Sequence, residues 1–167
     1  MKIKHHSLFI KLNSDYIDWN TIRNDPLEKN YFIPTDKSKY IQEAKRDDSY
    51  ELIINEILFF TKKLKIVDIF SFGSGRAFLE YQLKQQKLKV TISYMDNSID
   101  IIKSFNIFDN VYKLSFKDVI SKLENPQELI LLSRIVTEIN DEQLIELFKN
   151  IAQNKIYFFY TWPAFKL

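Results

Sequence analysis

Gly73 and Gly75 are the only two glycines among 167 residues, and they stand two apart in Ser71-Phe72-Gly73-Ser74-Gly75-Arg76-Ala77. Glycine adopts positive φ at little steric cost and lets the backbone approach a neighbour closely. A chain that places its whole supply at one turn must reverse direction there under tight constraint. Lys65 to Phe72 reads as a strand leading into the turn, and Ala77 to about Gln86 reads as the helix leaving it. Strand, Gly-x-Gly turn and helix together form the opening of a nucleotide-cofactor site.

The remaining pattern continues the alternation. Residues 1–47 are polar with scattered aromatics, Tyr16, Trp19, Tyr31, Phe32 and Tyr40, and Pro26 and Pro34 break any long helix. They read as an N-terminal extension of short elements before a domain at 48–167. Asp48 and Glu51 resemble a capping box for a helix with Tyr50, Ile53, Ile54, Ile57, Leu58 and Leu64 at helical spacing. Lys89–Met95 reads as a second strand, closed by Asp96-Asn97-Ser98, where Asn97 or Ser98 can cap a helix from Ile99. Asn110–Phe116 reads as a short third strand at an edge, followed by Lys117 and Asp118. Glu128–Ser133 is apolar enough for a strand buried on both faces. Asn140 and Gln143 open a helix with Leu144, Ile145, Leu147, Phe148 and Ile151 on its apolar face, and Lys155–Thr161 reads as a fifth strand. Such alternation predicts an α/β fold, a doubly wound and mainly parallel sheet with helices on both faces.

Composition narrows the chemistry. There is no cysteine, which excludes disulfides, thiolate metal sites and a cysteine nucleophile. A net charge of +2 is close to balance and argues against nucleic acid as a partner. The Lys62–Lys65 and Lys84–Lys89 clusters read as solvated helix ends. Adjacent histidines on an extended chain point to opposite sides, so His5 and His6 read as surface residues and no metal is expected. No run approaches the ~18 apolar residues of a membrane span, and the N-terminal apolar run is too short for a signal peptide, so the cytoplasm is the expected compartment.

In a parallel sheet of this kind ligands sit beyond the carboxyl ends of the strands. The glycine turn, Asp96, Asp118, Ser133 and Arg134 fall there. Asp96 follows Gly75 by 21 residues, at the end of the second strand, where an acid accepts from both ribose hydroxyls. Taken alone, Asp96 reads equally well as a helix cap. A dinucleotide fingerprint needs a third glycine where Phe78 stands, and no G-K-[ST] is present, which excludes a P-loop.

With these residues the chain resembles the class I S-adenosylmethionine-dependent methyltransferases over roughly residues 50–161. Their first motif is an acid followed by x-G-x-G-x-G. Here Ser71 stands in place of the acid and Ala77 in place of the third glycine. The resemblance implies a Rossmann-like sheet of about five strands in order 3-2-1-4-5, without the C-terminal hairpin usual in the family. It implies S-adenosylmethionine held by Ser71, Phe72, Gly73, Ser74, Gly75, Asp96, Asn97, Asp118 and Ser133. Asp96 would hold the ribose and Asp118 the adenine end, while Ser71 leaves the methionine ammonium without its usual acid. A fifth strand at an open edge would be covered by the N-terminal segment, by a second copy in a homo-oligomer, or by further strands.

The implied chemistry is methyl transfer to an oxygen or nitrogen, with Arg134, Glu138, His5 and His6 as candidates near the mouth and no residue compelled as a base. Leu132-Ser133-Arg134-Ile135 stands where amino-directed nucleic-acid methyltransferases carry [DNS]-P-P-[YF], so a small-molecule acceptor is favoured. Tyr16, Trp19, Tyr31 and Tyr40 form either a lid over it or part of a core. Two other functions share the pattern: a non-catalytic binding or scaffolding protein with a degraded site, and an NAD-dependent oxidoreductase, which Phe78 opposes. If Asp96 holds the ribose, Asp96→Ala weakens cofactor binding about 10- to 150-fold in calorimetry, the loss of charged hydrogen bonds; unchanged affinity in a folded variant removes Asp96 from the site.

Overall fold

The computed structural model describes residues 19–28, 31–95, 99–123, 129–133, 135, 139–154 and 156–161. Strands β1 (Asp68–Phe72), β2 (Lys89–Tyr94), β3 (Asn110–Lys113), β4 (Leu129–Ser133) and β5 (Phe158–Thr161) form one sheet in the order β3-β2-β1-β4-β5. Every pairing is parallel. The architecture is the Rossmann-like α/β arrangement that the alternating elements predict. The winding direction reverses between β1 and β4, which places the switch point beside the glycine turn.

Alternation along the strands builds two cores. Ile69, Val90, Ile92, Tyr94, Leu129 and Leu131 fill one face, and Phe70, Phe72, Ile130 and Leu132 fill the other. Helices α3 (Glu51–Leu64), α4 (Phe78–Gln85) and α5 (Ile99–Ser104) cover the first face through Ile57, Leu79, Leu83 and Ile102. Helices α6 (Phe116–Leu123) and α7 (Asp141–Gln153) cover the second through Val119, Leu123, Leu147 and Ile151. Because β4 lies between both layers, every one of its residues is buried, which explains its unbroken apolar sequence.

Two more helices precede these, α1 (Trp19–Asn24) and α2 (Lys37–Arg46). Residues 33–47 are built into the sheet domain rather than appended to it. Ile33, Tyr40 and Ala44 lie in the same core as Leu79 and Ile92. Gln82 Nε2 donates to the carbonyls of Ala44 and Asp47, each at 2.7 Å, and so closes the C-terminal end of α2.

Four local readings change. The first strand begins at Asp68 and not at Lys65, because Lys65, in the left-handed region, closes α3. The third strand stops at Lys113 because Ser115 and Asp118 form a reciprocal cap that starts α6 at Phe116. The cap before α3 belongs to Asp47, whose carboxylate accepts from the Ser49 amide at 3.2 Å and opens a short 3-10 turn at Asp48–Tyr50; Tyr50, with no side-chain cap, precedes α3. Ile145, expected on the apolar face of α7, is exposed. The capping box of α7 is as expected, with Asn140 and Gln143 each accepting from the other's backbone amide. Among the described residues no helix is long and apolar enough to cross a membrane.

The start of β2 is tied to the loop before β3. Asp109 accepts from the Lys84 ammonium at 2.7 Å and from the Val90 amide at 3.2 Å. Burial pushes the Asp109 carboxyl up, but Lys84 and Val90 more than reverse this and hold it below its ordinary value of 3.8. A carboxyl held lower in the folded than the unfolded chain stabilises the fold above the unfolded value, and that contribution fades as pH falls through the folded one. Urea unfolding between about pH 6 and pH 2 should therefore show Asp109→Asn less stable than the native chain at the upper end, with the difference vanishing at the lower end.

Candidate functional site

The chain leaves β1 through three alternate left-handed residues. Gly73 has φ 77°, Gly75 has φ 56°, and Ala77, in the position before α4, also has φ 56°. An L-residue in this region costs roughly 1–2 kcal/mol. The surroundings of Ala77 explain why it stays there. Tyr40 Oη, from α2, donates to the carbonyls of Arg76 at 3.0 Å and Ala77 at 3.2 Å. The Ala77 amide donates to the Ser74 carbonyl at 2.7 Å. Arg76 pairs with Asp47 at 3.0 Å and lies 4.1 Å over the Phe78 ring. The Tyr40 ring is wedged among Phe78, Tyr81 and Phe105, with centroids 5.0–6.3 Å apart. Burial, and then the neighbouring Tyr94 and Glu80, push the Tyr40 phenol well above its ordinary value of 10.0, so it remains a hydrogen-bond donor.

Beneath the turn lies a buried polar chain. Glu80, in the first turn of α4, is 1% exposed, and its Oε1 accepts from Ser71 Oγ at 2.6 Å. Ser74 Oγ donates to Ser71 Oγ at 3.2 Å. Ser93 Oγ, from β2, donates to the Ser71 carbonyl at 3.1 Å. A carboxylate in the first turn of a helix is stabilised by the unpaired amides there. Nearby, the Arg23 guanidinium is buried 5.5 Å over the Tyr94 ring.

The two glycines serve different ends. A Cβ on Gly73 would lie 2.9 Å from the Ser133 carbonyl oxygen and 3.2 Å from Ile135, so this glycine lets the turn pack on the end of β4. A Cβ on Gly75 would meet nothing within 4 Å. Its surroundings leave room for a ligand to approach the backbone.

The expected site residues separate into groups. Ser71, Gly73, Ser74, Gly75 and Ser133 come together at the carboxyl ends of β1 and β4. Phe72 adjoins them by its backbone only, since its side chain is buried in the opposite core. Asp118 stands at the start of α6, exposed, with its carboxylate accepting from the Ser115 amide and hydroxyl at 2.9 and 2.6 Å; those bonds hold its pKa below the ordinary 3.8. Asp96, Asn97, Arg134, Glu138, His5 and His6 lie outside the described residues, as does Tyr16 of the aromatic set. Tyr40 is fully buried and braces the turn, so it belongs to the core and not to a lid. Sequence reasoning missed Glu80 and this role of Tyr40. The signal for Glu80 was a lone acid within Phe78-Leu79-Glu80-Tyr81, an otherwise apolar first turn.

In comparisons with known proteins, no family model, curated protein or solved structure matches the chain.

Two sets of variants check the construction of the turn by urea unfolding. Gly73→Ala and Gly75→Ala both carry the left-handed penalty, but Gly73→Ala should lose about 1–3 kcal/mol more, because its methyl meets a backbone carbonyl. Tyr40→Phe should lose about 0.5–1.5 kcal/mol, the net worth of the hydroxyl's hydrogen bonding, since the Ala77 carbonyl keeps the Tyr81 amide; a Tyr40→Phe chain of native stability would show that the Tyr40 hydroxyl does not hold the turn.

Proposed function

We propose that the chain is an S-adenosylmethionine-dependent methyltransferase acting on an oxygen or nitrogen of a small molecule. The observation that carries this reading is the left-handed backbone at Gly73, Gly75 and Ala77. The spacing is that of x-G-x-G-x-G, and Ala77 keeps the glycine conformation where the family has its third glycine. The residue a dinucleotide site would need as glycine is Phe78, which is helical and buried. Open space at Gly75 fits a cofactor lying against the backbone. The turn also lies at the switch point of the sheet, where ligands of such folds bind.

On this reading Ser74 and Gly75 hold the amino-acid end of the cofactor, with Ser71, Phe72, Gly73 and Ser133 shaping the floor. Asp96 and Asn97 would take the ribose, and Asp118 the adenine end. When bound, S-adenosylmethionine supplies an electrophilic methyl group and a neutral thioether leaving group. The protein's share is then mainly orientation, an effect worth up to about 7–11 kcal/mol. A rigid turn, braced by Tyr40 on one side and seated on β4 on the other, suits that task.

A specific observation favours a second reading, a non-catalytic binding or scaffolding protein. Phe59, Tyr157 and Phe158 are exposed on or beside the β5 edge, and Phe60 stacks edge-on to Phe159. One experiment separates the readings: calorimetric titration with S-adenosylmethionine and S-adenosylhomocysteine, with NADH as control. Micromolar binding of the first two and none of NADH is the expected result, followed by turnover of small O- or N-acceptors. A folded chain that binds neither sulfur ligand favours the scaffold, and NADH binding alone favours the oxidoreductase.

A further inference from the structure

We infer that the β5 edge is a docking surface for a second copy of this chain. A two-fold axis would join the copies so that their β5 strands run antiparallel and one sheet continues through both. The inference is independent of the cofactor reading, since it draws on no residue of the glycine turn.

The backbone sets the pairing. β5 is the last strand of the sheet beyond β4. The Ile130 amide donates to the Tyr157 carbonyl at 2.9 Å, so residue 157 bonds toward β4. Successive residues of a strand bond to opposite sides, which turns the amide and carbonyl of Phe158 away from β4. Two strands related by a two-fold axis at Phe158 match as an antiparallel hydrogen-bonded pair, each Phe158 amide donating to the other's carbonyl. Charged residues and proline are the usual means of keeping a bare edge from pairing, and Phe158–Thr161 contains neither.

Both faces of that edge are apolar. On one, Phe60 of α3 packs against Phe159 at 5.5 Å with Phe59 beside it, and Phe59 and Phe60 are both exposed. On the other, Phe148 of α7 packs against Phe158 at 5.6 Å, and Ile145, one turn earlier, is 55% exposed. Ile145, Phe148 and exposed Ala152 share one face of α7 by their spacing of three and four. An antiparallel copy of α7 centred on Phe148 sets Ile145 of one copy against Ala152 of the other. Because α7 connects β4 to β5 and packs on them, its copy lies about two strand spacings away, about 10 Å, the separation of packed helices.

Charge selects a copy over an unlike partner. Exposed Glu56 lies one turn before Phe60 and exposed Lys63 one turn after it, with the Lys63 ammonium 6.0 Å over the Phe59 ring. Among the described residues neither forms an ion pair. Antiparallel α3 helices centred on Phe60 bring Glu56 of each copy to Lys63 of the other, two identical acid–base pairs flanking one apolar patch. A surface complementary to itself under a two-fold rotation is what an isologous dimer requires.

Sedimentation velocity and light scattering of the intact chain over a concentration series test this. The native chain should reach twice the 20.0 kDa of one chain. Phe158→Asp should leave a folded monomer; if it does not fold, Ile145→Asp carries the same expectation. Glu56→Lys and Lys63→Glu, each alone, set like charges together at both pairs and should weaken the dimer about 10- to 100-fold. Mixing these two variants should give a heterodimer of near-native strength, because one chain is then basic at 56 and 63 and the other acidic at both. A native chain that stays monomeric at every concentration overturns the inference and leaves the edge to an unlike partner or to a segment of this chain outside the described residues. A dimer indifferent to the aspartate variant and to both charge reversals overturns it by placing the contact elsewhere. Reversals that weaken the dimer yet are not rescued by mixing overturn the antiparallel two-fold match.

Discussion

Everything at the carboxyl end of the sheet depends on one contact, the Tyr40 hydroxyl donating to the carbonyls of Arg76 and Ala77. Leaving β1 in left-handed steps is costly for a residue with a side chain, and Ala77 is such a residue. Tyr40 ties that conformation to α2, because the carbonyls of Arg76 and Ala77 converge on its hydroxyl, the second of them also accepting the Tyr81 amide at 2.9 Å. The demand then spreads outward. Tyr40 must be held in turn, which Phe78, Tyr81 and Phe105 do by ring contacts. Helix α2 must dock on α4, which Gln82 secures at Ala44 and Asp47. A segment that looks peripheral in sequence thus becomes part of the machinery that shapes the turn.

The distribution of left-handed residues sharpens the point. Lys65, Lys87 and Asn106 also have positive φ, Lys65 and Lys87 just beyond the ends of α3 and α4 and Asn106 just past α5, places where chains commonly use glycine. This chain accepts the penalty at those ends and keeps glycine for the turn. At Gly73 packing gives the reason, since the Ser133 carbonyl leaves no room for a Cβ. At Gly75 the backbone angle gives a reason but packing does not, because the space around it is open. An open left-handed glycine at the switch point of a parallel sheet is what a site needs if a ligand is to approach the backbone.

How far the fold could be read from the sequence follows from which forces are local. The strands and their order were legible, because strands buried on both faces must be apolar throughout, as Leu129–Leu132 are, and right-handed crossovers leave few ways to arrange them. The cap at Asn140 and Gln143 was legible because both partners lie within one helical turn. The end of β3 was misread because apolar Leu114 and Phe116 continue the strand pattern, while Ser115 and Asp118 override it with a cap. The turn itself was legible from two glycines. Its supports were not, because Tyr40 reaches it across 36 residues and the burial of Glu80 depends on what packs over α4. Aromatics in a polar segment look alike whether they face solvent or a core.

The same distinction explains how a carboxyl group can be absent from the strand end at position 71 and yet lie directly beneath the turn. Sequence motifs record positions along the chain, whereas a ligand meets groups in space. Ser71 and Glu80 are nine residues apart and 2.6 Å apart. The two locations differ energetically. An acid at the end of a strand must find its own compensation for burial, whereas one in the first turn of a helix faces unpaired amides, worth about 0.3–2 kcal/mol. A serine at the strand end then adds a buried hydrogen bond to it. Placing the acid on the helix therefore keeps a carboxyl group under the turn, where a small hydroxyl residue at position 71 can bond to it.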